Sequence, residues 1–475
     1  MIQDQIEQKK TGVFRRYFGW LQDLLAAQSG LAAYIAIIFV NFAIFCGSSW
    51  QIFLPNTDPA RYQCYALTFW LGSKATSLLP ATQCAFLGHV TQPSFHMLPI
   101  EYPPLILLPL SLALLAPITY YQLAFAFLMS LVSVLIYWLL MRDSSRHSAL
   151  IFALYLFIGG LATAQLRFDL IPAALTLLFL IAAERKHWTA AYIALAFGVL
   201  CKLYPLLFLP TLFIAEQRDS SQFFTPPASS SLPDLPHNLW QTFRQASQWR
   251  WKNLLLFLAI IGSITGIFAL LNFQEAVLSQ FLYFAQRPIE IEATSSTFLY
   301  LSAYLGYPLH IVYTFGSLNI LSPFDSLVSS IFTLLFLLGC AYTIYTQWHE
   351  RIDITQATIA LLLVFIATGK VFSPQYLIWL MPLLAYAGAS DLFWLLSWGI
   401  VSALTTFIYM VLYPLSLNNP LQIPFVPGYL QIVTLRNALV IFITLAYLFN
   451  WFQARQRKAW SAHLTGKETR QLIHV

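Results

Sequence analysis

The chain has 475 residues, of which 59% are hydrophobic and only 9% are charged, and its mean hydropathy is +0.67. Soluble domains carry about 25% charged residues, so this composition excludes a soluble globular protein. The net charge of +6 does not indicate a nucleic-acid partner, because excess Lys and Arg in membrane proteins chiefly set helix orientation.

Apolar runs long enough to cross a bilayer recur between residues 31 and 452, since a spanning helix needs roughly 20 apolar residues. The sequence therefore predicts an all-α polytopic protein of the cell membrane, with residues 31–452 as its transmembrane domain. Residues 1–30 are expected to form a basic, amphipathic cytoplasmic N-terminus that continues into an uncleaved anchor, and residues 453–475 a basic cytoplasmic tail.

Basic clusters orient the chain, because cytoplasmic loops are enriched in Lys and Arg. Both termini and residues 216–252, an insert with a Pro- and Ser-rich stretch typical of a linker, are placed on the cytoplasmic side. Two ends on one side require an even number of crossings. The predicted crossings are residues 31–49, 119–141, 148–166, 169–184, 189–215, 253–272, 323–346, 356–369, 373–389, 391–413 and 432–452.

Residues 189–215 must cross twice, because they begin and end on the cytoplasmic side. Lys202 and Pro205 interrupt this segment, so we expect two short half-helices with Lys202 at the outer apex, as in broken helices that line a cavity. The total is then about twelve crossings. Residues 50–118 form a large first extracytoplasmic loop, and the apolar run after its Pro-Pro pair is expected to be a re-entrant or interfacial helix.

Seven of the 25 Lys and Arg residues remain on the extracytoplasmic side, against the usual bias. Charges near membrane depth are costly unless they are paired or functional, so each of these residues is expected either to have a partner or to take part in a site. They are Arg61, Lys74, Arg167, Lys202, Arg287, Lys370 and Arg436.

Asp58 begins the polar part of the first extracytoplasmic loop and directly precedes Pro59. This pattern is typical of a helix N-cap followed by Pro at the first helical position. A capping Asp still presents its second oxygen to a substrate, so capping and catalysis are compatible. Arg61 and Tyr62 follow on the same helical face and are candidate substrate-binding residues.

Glu101 and Tyr102 lie later in this loop, where Glu101 is either a solvated interfacial charge or a ligand for acceptor hydroxyls or an arginine. Arg167 and Asp169 lie between two apolar spans. They form either a mutual ion pair that caps the second helix, or a site in which Asp169 contacts a sugar and Arg167 a phosphate.

Lys202, with Tyr204 nearby, lies among apolar residues and either snorkels to the interface or binds a ligand. The run from Arg287 to Glu292 alternates charged and apolar residues, which fits either strand-like packing or a site. A later span starts with polar side chains at a helix N-terminus, which is a natural anion site. These side chains are Lys370, Gln375 and Tyr376.

Carboxylates and cations on one membrane face suit the transfer of a sugar from a lipid phosphate. The phosphate gains charge as its bond to the sugar breaks, and Lys and Arg would stabilise that charge. The acceptor hydroxyl needs a base, a role worth roughly 10²–10⁴-fold that we assign to Asp58. The expected donor-phosphate ligands are Arg167, Lys202, Arg287 and Lys370, and the expected substrate ligands are Arg61, Tyr62, Glu101, Tyr102, Asp169, Tyr204, Glu292, Gln375 and Tyr376.

Two cysteines of the first loop, Cys64 and Cys84, are either free thiols or a disulfide. A disulfide there would contribute on the order of 3 kcal/mol to stability. His89 and His96 have no companion ligands at metal-site spacing, so no metal site is expected.

Over most of residues 31–450 the chain resembles the integral-membrane glycosyltransferases of the GT-C superfamily, and within them family 87, the polyprenyl-phosphate-mannose-dependent mannosyltransferases. The resemblance implies a GT-C fold and inverting transfer at the extracytoplasmic face, with Asp58 as base and neither cofactor nor metal. The motifs that carry it are Asp58, Glu101-Tyr102-Pro103-Pro104, Phe168-Asp169-Leu170, Lys202-Leu203-Tyr204-Pro205, Arg287-Pro288 to Glu292, and Gly369 to Tyr376 with Trp379 and Pro382.

Two other classes are compatible with the sequence. A transporter or lipid flippase would place charges near the bilayer midplane, with broken helices in related halves. A glycan polymerase or ligase would use a lipid-diphosphate donor, also outside the cell. The favoured partners are a polyprenyl-phosphate sugar, a lipid or glycan acceptor and the bilayer, with no nucleic acid, and mannose rests on family analogy alone.

Overall fold

The computed structural model describes residues 30–55, 57–80, 82–87, 97–219, 235–387, 391–416 and 419–449. These residues are mostly helical, so the prediction of a helical membrane protein is confirmed, but they also contain a small sheet that it missed. The α-helices are α1 (Ile35–Ser48), α2 (Asp58–Leu71), α3 (Leu107–Leu112), α4 (Tyr121–Asp143), α5 (Arg146–Gly159), α6 (Leu170–Glu184), α7 (Trp188–Cys201), α8 (Leu209–Asp219), α9 (Leu235–Arg244), α10 (Lys252–Leu271), α11 (Ser279–Gln286), α12 (Ser296–Tyr304), α13 (Asp325–Trp348), α14 (Ile354–Thr368), α15 (Gln375–Tyr386), α16 (Leu392–Phe407) and α17 (Tyr429–Leu448).

Within these ranges, six helical segments are long and apolar enough to cross a membrane, which makes the chain a multi-pass membrane protein. Several other predicted crossings are shorter apolar helices of 10–17 residues. The figure of about twelve crossings therefore stays a prediction. The six long segments are Gly30–Gln51, Ile118–Asp143, Lys252–Leu271, Asp325–Trp348, Leu392–Ser416 and Tyr429–Leu448.

The predicted cytoplasmic ends of the helices are joined by ion pairs. Asp143 at the end of α4 pairs with Arg185, which directly follows α6. Lys186 pairs with Asp219 at the end of α8 at 2.6 Å, and Trp188 donates a hydrogen bond to the same carboxylate at 3.1 Å. The start of α7 and the end of α8 therefore meet.

Helices α7 and α8 form the hairpin that the sequence predicts. Lys202 follows α7 directly in extended backbone, and a short 3-10 helix, Tyr204–Phe208, leads into α8. Because both open ends of the hairpin meet at Asp219, Lys202 lies at the opposite, closed end.

Helix α5 ends earlier than predicted. The crossing expected over residues 148–166 stops at Gly159, and residues 160–169 form turns that lead to α6. Two consecutive glycines, Gly159 and Gly160, end the helix because glycine has a low helix propensity. Arg167 and Asp169 therefore lie in the turns between α5 and α6, where they contribute to the site described below.

The sheet contains β1 (Ile289–Glu290), β2 (His310–Thr314) and β3 (Ser317–Leu321), all antiparallel in the order β1-β3-β2. Phe315 and Gly316 join β2 to β3 with φ angles of 52° and 68°. Two positive φ angles are typical of a tight hairpin turn whose twist matches that of its strands. The run from Arg287 to Glu292 thus includes a strand, as one of its two interpretations predicted.

The loop that is predicted to be extracytoplasmic contains a disulfide between Cys64 and Cys84, which decides between the two alternatives left open by the sequence. It fastens the middle of α2 to the segment after residue 81. Gln83 strengthens this junction by donating hydrogen bonds to Ala60 O at 2.9 Å and Gln63 Oε1 at 2.8 Å.

We expect three reactive thiols in the denatured, unreduced protein and five after reduction, because Cys46, Cys201 and Cys340 are free. Counting thiols by mass after alkylation measures this. Replacing Cys64 by Ser should lower the unfolding free energy by about 3 kcal/mol, whereas Cys340→Ser, the control, should change it little. Five reactive thiols before reduction would contradict the disulfide.

Candidate active site

Asp58 is available for chemistry because another residue caps its helix. Thr57 is the N-cap of α2, and its hydroxyl accepts a hydrogen bond from Ala60 N at 3.4 Å. The prediction that Asp58 itself is the cap is therefore wrong by one residue, since threonine fills the capping position as well as aspartate does. Asp58 Oδ2 instead lies 2.6 Å from Arg167 Nη2, and both side chains are 23% exposed.

Asp169 lies deeper in the protein, with a side-chain exposure of 1%. Its Oδ1 accepts hydrogen bonds from Lys202 Nζ and Trp379 Nε1, each at 2.5 Å. Its Oδ2 has no hydrogen-bond partner among the described residues. Arg167 and Asp169 thus pair with different partners, and the alternative of a mutual ion pair between them is wrong.

Aromatic rings surround the ammonium group of Lys202. Its Nζ lies 4.8 Å from the ring centre of Trp379, 5.0 Å from that of Phe168 and 5.7 Å from that of Tyr102. Such cation–π contacts are strongest where water is excluded. The Lys202 side chain is mostly buried and does not extend to the surface, because its charge is stabilised by Asp169 and by these rings.

Trp379 also organises the aromatic residues around it. It stacks with Tyr204 at 4.2 Å and with Tyr376 at 4.1 Å between ring centres. Tyr204 is fixed in turn by a 3.1 Å hydrogen bond between its hydroxyl and Thr176 of α6. The hairpin apex, α6 and α15 are therefore joined at one point.

Tyr62 lies near both the Asp58 and the Asp169 carboxylates. Its ring contacts Tyr102 at 6.3 Å and Phe168 at 5.4 Å between ring centres, and Tyr102 in turn contacts Phe168 at 4.9 Å. In the described part of the chain the Tyr62 hydroxyl is buried without a hydrogen-bond partner. These ring contacts link α2, which begins at Asp58, to the turn that carries Asp169.

A third carboxylate, Glu101, pairs with Arg61, which lies one helical turn after Asp58. The Arg61 guanidinium also lies 4.7 Å from the centre of the Phe86 ring. The β2–β3 turn covers this pair, and a Cβ atom at Gly316 would be 2.9 Å from Arg61 Nη1. The positive φ at this position favours glycine, and the absence of a Cβ atom leaves room for the Arg61 guanidinium.

Arg287 and Lys370 border the cluster. Arg287 Nη2 donates to Ser317 Oγ at 2.8 Å, and Lys370 Nζ lies 3.4 Å from a backbone carbonyl oxygen. Glu290 fastens the turn before α15, because its Oε2 accepts from Phe372 N at 2.8 Å and its backbone N–H donates to Lys370 O at 2.9 Å. Burial raises the pKa of Glu290 to about 7, although Arg287 opposes the shift.

Two predicted substrate ligands have other partners. Glu292 is fully buried and pairs with Arg436 Nη1 at 2.9 Å, while Tyr413 donates to it at 2.5 Å. A fully buried carboxylate with these partners stabilises the fold, and the assignment of Glu292 to substrate binding stays a prediction. Gln375 is also buried and accepts a hydrogen bond from the Ser373 hydroxyl.

The structure thus brings most of the predicted site residues into one cluster, which we call the charge cluster. It consists of Asp58, Arg61, Tyr62, Glu101, Tyr102, Arg167, Asp169, Lys202, Tyr204 and Tyr376, with Arg287 and Lys370 at its edge.

Sequence reasoning assigned no site role to three residues that contact this cluster or its edge. Trp379 binds Asp169 directly, and its position three residues after Tyr376, on the same helical face, was the available signal. Phe168 lies between the two charged residues that enter the cluster and contacts Lys202. Glu290 belongs to the alternating run that the sequence analysis singled out. Its partner, Phe372, is 82 residues away, so nothing near Glu290 in the sequence indicates this contact.

His89 and His96 lie outside the described residues. Within the described ranges, no group of three or more His, Cys, Asp or Glu side chains is arranged to hold a metal ion.

Comparison of the chain with protein-family models, with curated proteins and with solved structures finds no match.

Replacing Lys202 by Met should destabilise the protein by about 3–5 kcal/mol, because it leaves the buried Asp169 carboxylate uncompensated. Changing Asp169 to Asn in the same chain should recover much of this loss. Thermal unfolding in detergent measures both variants. Lys370→Met is the matched control and should cost less than about 1 kcal/mol, since Lys370 is half-buried and has a backbone partner. Equal stability of the single and double variants would contradict the pairing.

Proposed function

We propose that this protein is a membrane glycosyltransferase that moves a sugar from a polyprenyl-phosphate donor to a lipid or glycan acceptor, with inversion. The observation that supports this most is the pairing of three carboxylates with three cations at one end of the helix bundle. The polyprenyl-phosphate donor, mannose as the sugar and the GT-C class follow from the motif resemblance of the sequence.

The reaction needs a base and a stabilised leaving group. Asp58 takes the proton of the acceptor hydroxyl, and the acceptor oxygen forms a bond to the anomeric carbon of the sugar. The bond between that carbon and the phosphate oxygen breaks, and its electron pair leaves with the polyprenyl phosphate. The phosphate gains one negative charge in this step, so nearby cations stabilise the transition state more than the bound donor.

The positions of the charged residues divide these tasks. Asp58 is partly exposed, as a base that meets an acceptor must be, and Arg167 holds its carboxylate in place. Arg167 Nη2 contacts Asp58, and a guanidinium carries five N–H donors, more than this contact uses. Lys202 contributes a second charge, and Asp169 Oδ2 is available for a sugar hydroxyl.

The location of the charges favours transfer over transport. Lys202 directly follows α7, Asp169 directly precedes α6, and Asp58 is the first residue of α2. The charges therefore lie at helix ends. A transporter would place its charges near the bilayer midplane and pair broken helices in related halves of the chain, whereas the sequence indicates one broken hairpin, at Lys202. The charge cluster therefore suits chemistry at a membrane surface.

Asp58→Asn should lower turnover by about 10²–10⁴-fold, because the amide cannot accept the hydroxyl proton. The assay uses purified protein, radiolabelled polyprenyl-phosphate mannose and a membrane extract as the source of acceptor. Asp391→Asn is the matched control, because Asp391 caps α16 at the other end of the bundle and Asn caps a helix equally well.

Unchanged turnover in Asp58→Asn would exclude Asp58 as the base. Transfer by the unaltered protein from a lipid-diphosphate sugar, but not from a lipid-monophosphate sugar, would instead indicate a glycan polymerase or ligase.

A further inference from the structure

A cavity lined by both charged and apolar side chains lies at the end of the bundle opposite the charge cluster. It has a volume of about 790 Å³ and is bounded by the start of α7, the end of α8 and the start of α10. Helix α7 separates it from Lys202, and its 14 residues correspond to about 21 Å of helix. The cavity is therefore distinct from the charge cluster.

Side-chain hydrogen bonds hold the walls of this cavity together. Asn253 of α10 donates to Glu216 Oε1 of α8 at 2.7 Å and accepts from the Thr189 hydroxyl of α7 at 2.9 Å. Gln217 binds both the backbone N–H and the carbonyl oxygen of Arg250, at 2.7 and 3.2 Å. The three helices are thus fixed relative to one another, and the cavity is a formed feature of the fold.

The cavity carries an excess of positive charge. Lys186, Arg250 and Lys252 line it and are exposed, whereas its one lining carboxylate, Glu216, is buried and accepts a hydrogen bond from Asn253. Asp219 lies beside it and pairs with Lys186 at 2.6 Å but with Arg250 only at 3.9 Å. Hydrogen bonds from Lys186 and Trp188 lower the pKa of Asp219, so this carboxylate stays ionised and its charge is taken up chiefly by Lys186. Arg250 and Lys252 are the cations left to bind an anion.

The surroundings of the cavity match the headgroup layer of a membrane. Trp188, Trp249 and Trp251 line it, and tryptophan is enriched at membrane–water interfaces. Helix α10 begins at the cavity and presents an apolar surface outward, with Leu255 59% and Leu258 52% exposed. An acyl chain lying along α10 would therefore place its phosphate at Arg250 and Lys252.

We propose that this cavity binds the headgroup of an anionic membrane phospholipid, with Arg250 and Lys252 as the phosphate ligands and the acyl chains along α10. Basic pockets between membrane helices on the cytoplasmic side are a general means of holding such headgroups. The site is independent of the proposed sugar transfer, because none of its residues belongs to the charge cluster.

The test measures the binding of dihexanoyl phosphatidylglycerol to the purified full chain in detergent, below the micelle-forming concentration of the lipid. In the double variant Arg250→Gln/Lys252→Gln we expect the dissociation constant to rise about tenfold or more. Lys252→Arg retains the charge and should bind like the unaltered protein. Arg244→Gln is the matched control, since Arg244 is exposed on α9 and does not line the cavity.

Two further probes identify the source of the phosphate. Dihexanoyl phosphatidylcholine, which carries no net charge, and inorganic phosphate, which has no acyl chains, should each bind about tenfold more weakly or worse. Equal binding of phosphatidylcholine would show that acyl chains alone drive association, and equal binding of inorganic phosphate would show a free-anion site. Either result, or an unchanged dissociation constant in the folded double variant, would overturn the proposal.

Discussion

The carboxylate of Asp169 is the constraint on which the rest of the site depends. A charge buried to this extent is tolerated only when it is paired and hydrogen-bonded, and Lys202 and Trp379 meet that need at a single oxygen. The two partners come from the hairpin apex and from α15, while Asp169 comes from the turn before α6. One buried carboxylate thus fixes three parts of the bundle that are distant in sequence.

The bundle separates its charges into two groups at opposite helix ends. Asp143, Arg185, Lys186 and Asp219 form ion pairs at one end. The charge cluster lies at the other end, where aromatic rings rather than water surround Lys202. Because apolar helices separate the groups, each site depends on its own local partners. The proposed sugar transfer and the proposed lipid site can therefore be tested without interfering with each other.

Hydropathy and charge predicted much of this arrangement. The apolar runs gave the helices, and the cost of isolated charges identified Arg167 and Lys202 as residues that needed partners. Lys202 at the apex of a hairpin was predicted because a segment with both ends on one side must turn back. The closed hairpin and the cluster around it agree with that reasoning.

The partners themselves could not be predicted, because pairing depends on tertiary contacts. Arg167 and Asp169 are close in sequence, which suggested a mutual pair, yet each turns to a different helix. Glu292 and Arg436 are 144 residues apart, and nothing local indicates their buried pair. A strand at β1 was one of two interpretations of its run, but β2 and β3 were missed because each is only five residues long and lies within an apolar chain dominated by helices.

Thiol labelling tests most directly whether the charge cluster opens to a single compartment. In a chain whose free cysteines Cys46, Cys201 and Cys340 are replaced by Ser, single substitutions Asp58→Cys, Leu203→Cys and Arg250→Cys are exposed to a membrane-impermeant reagent on intact cells. We expect the first two to be labelled from outside and the third only after the membrane is opened. Labelling of positions 58 and 203 from opposite compartments would contradict a shared site.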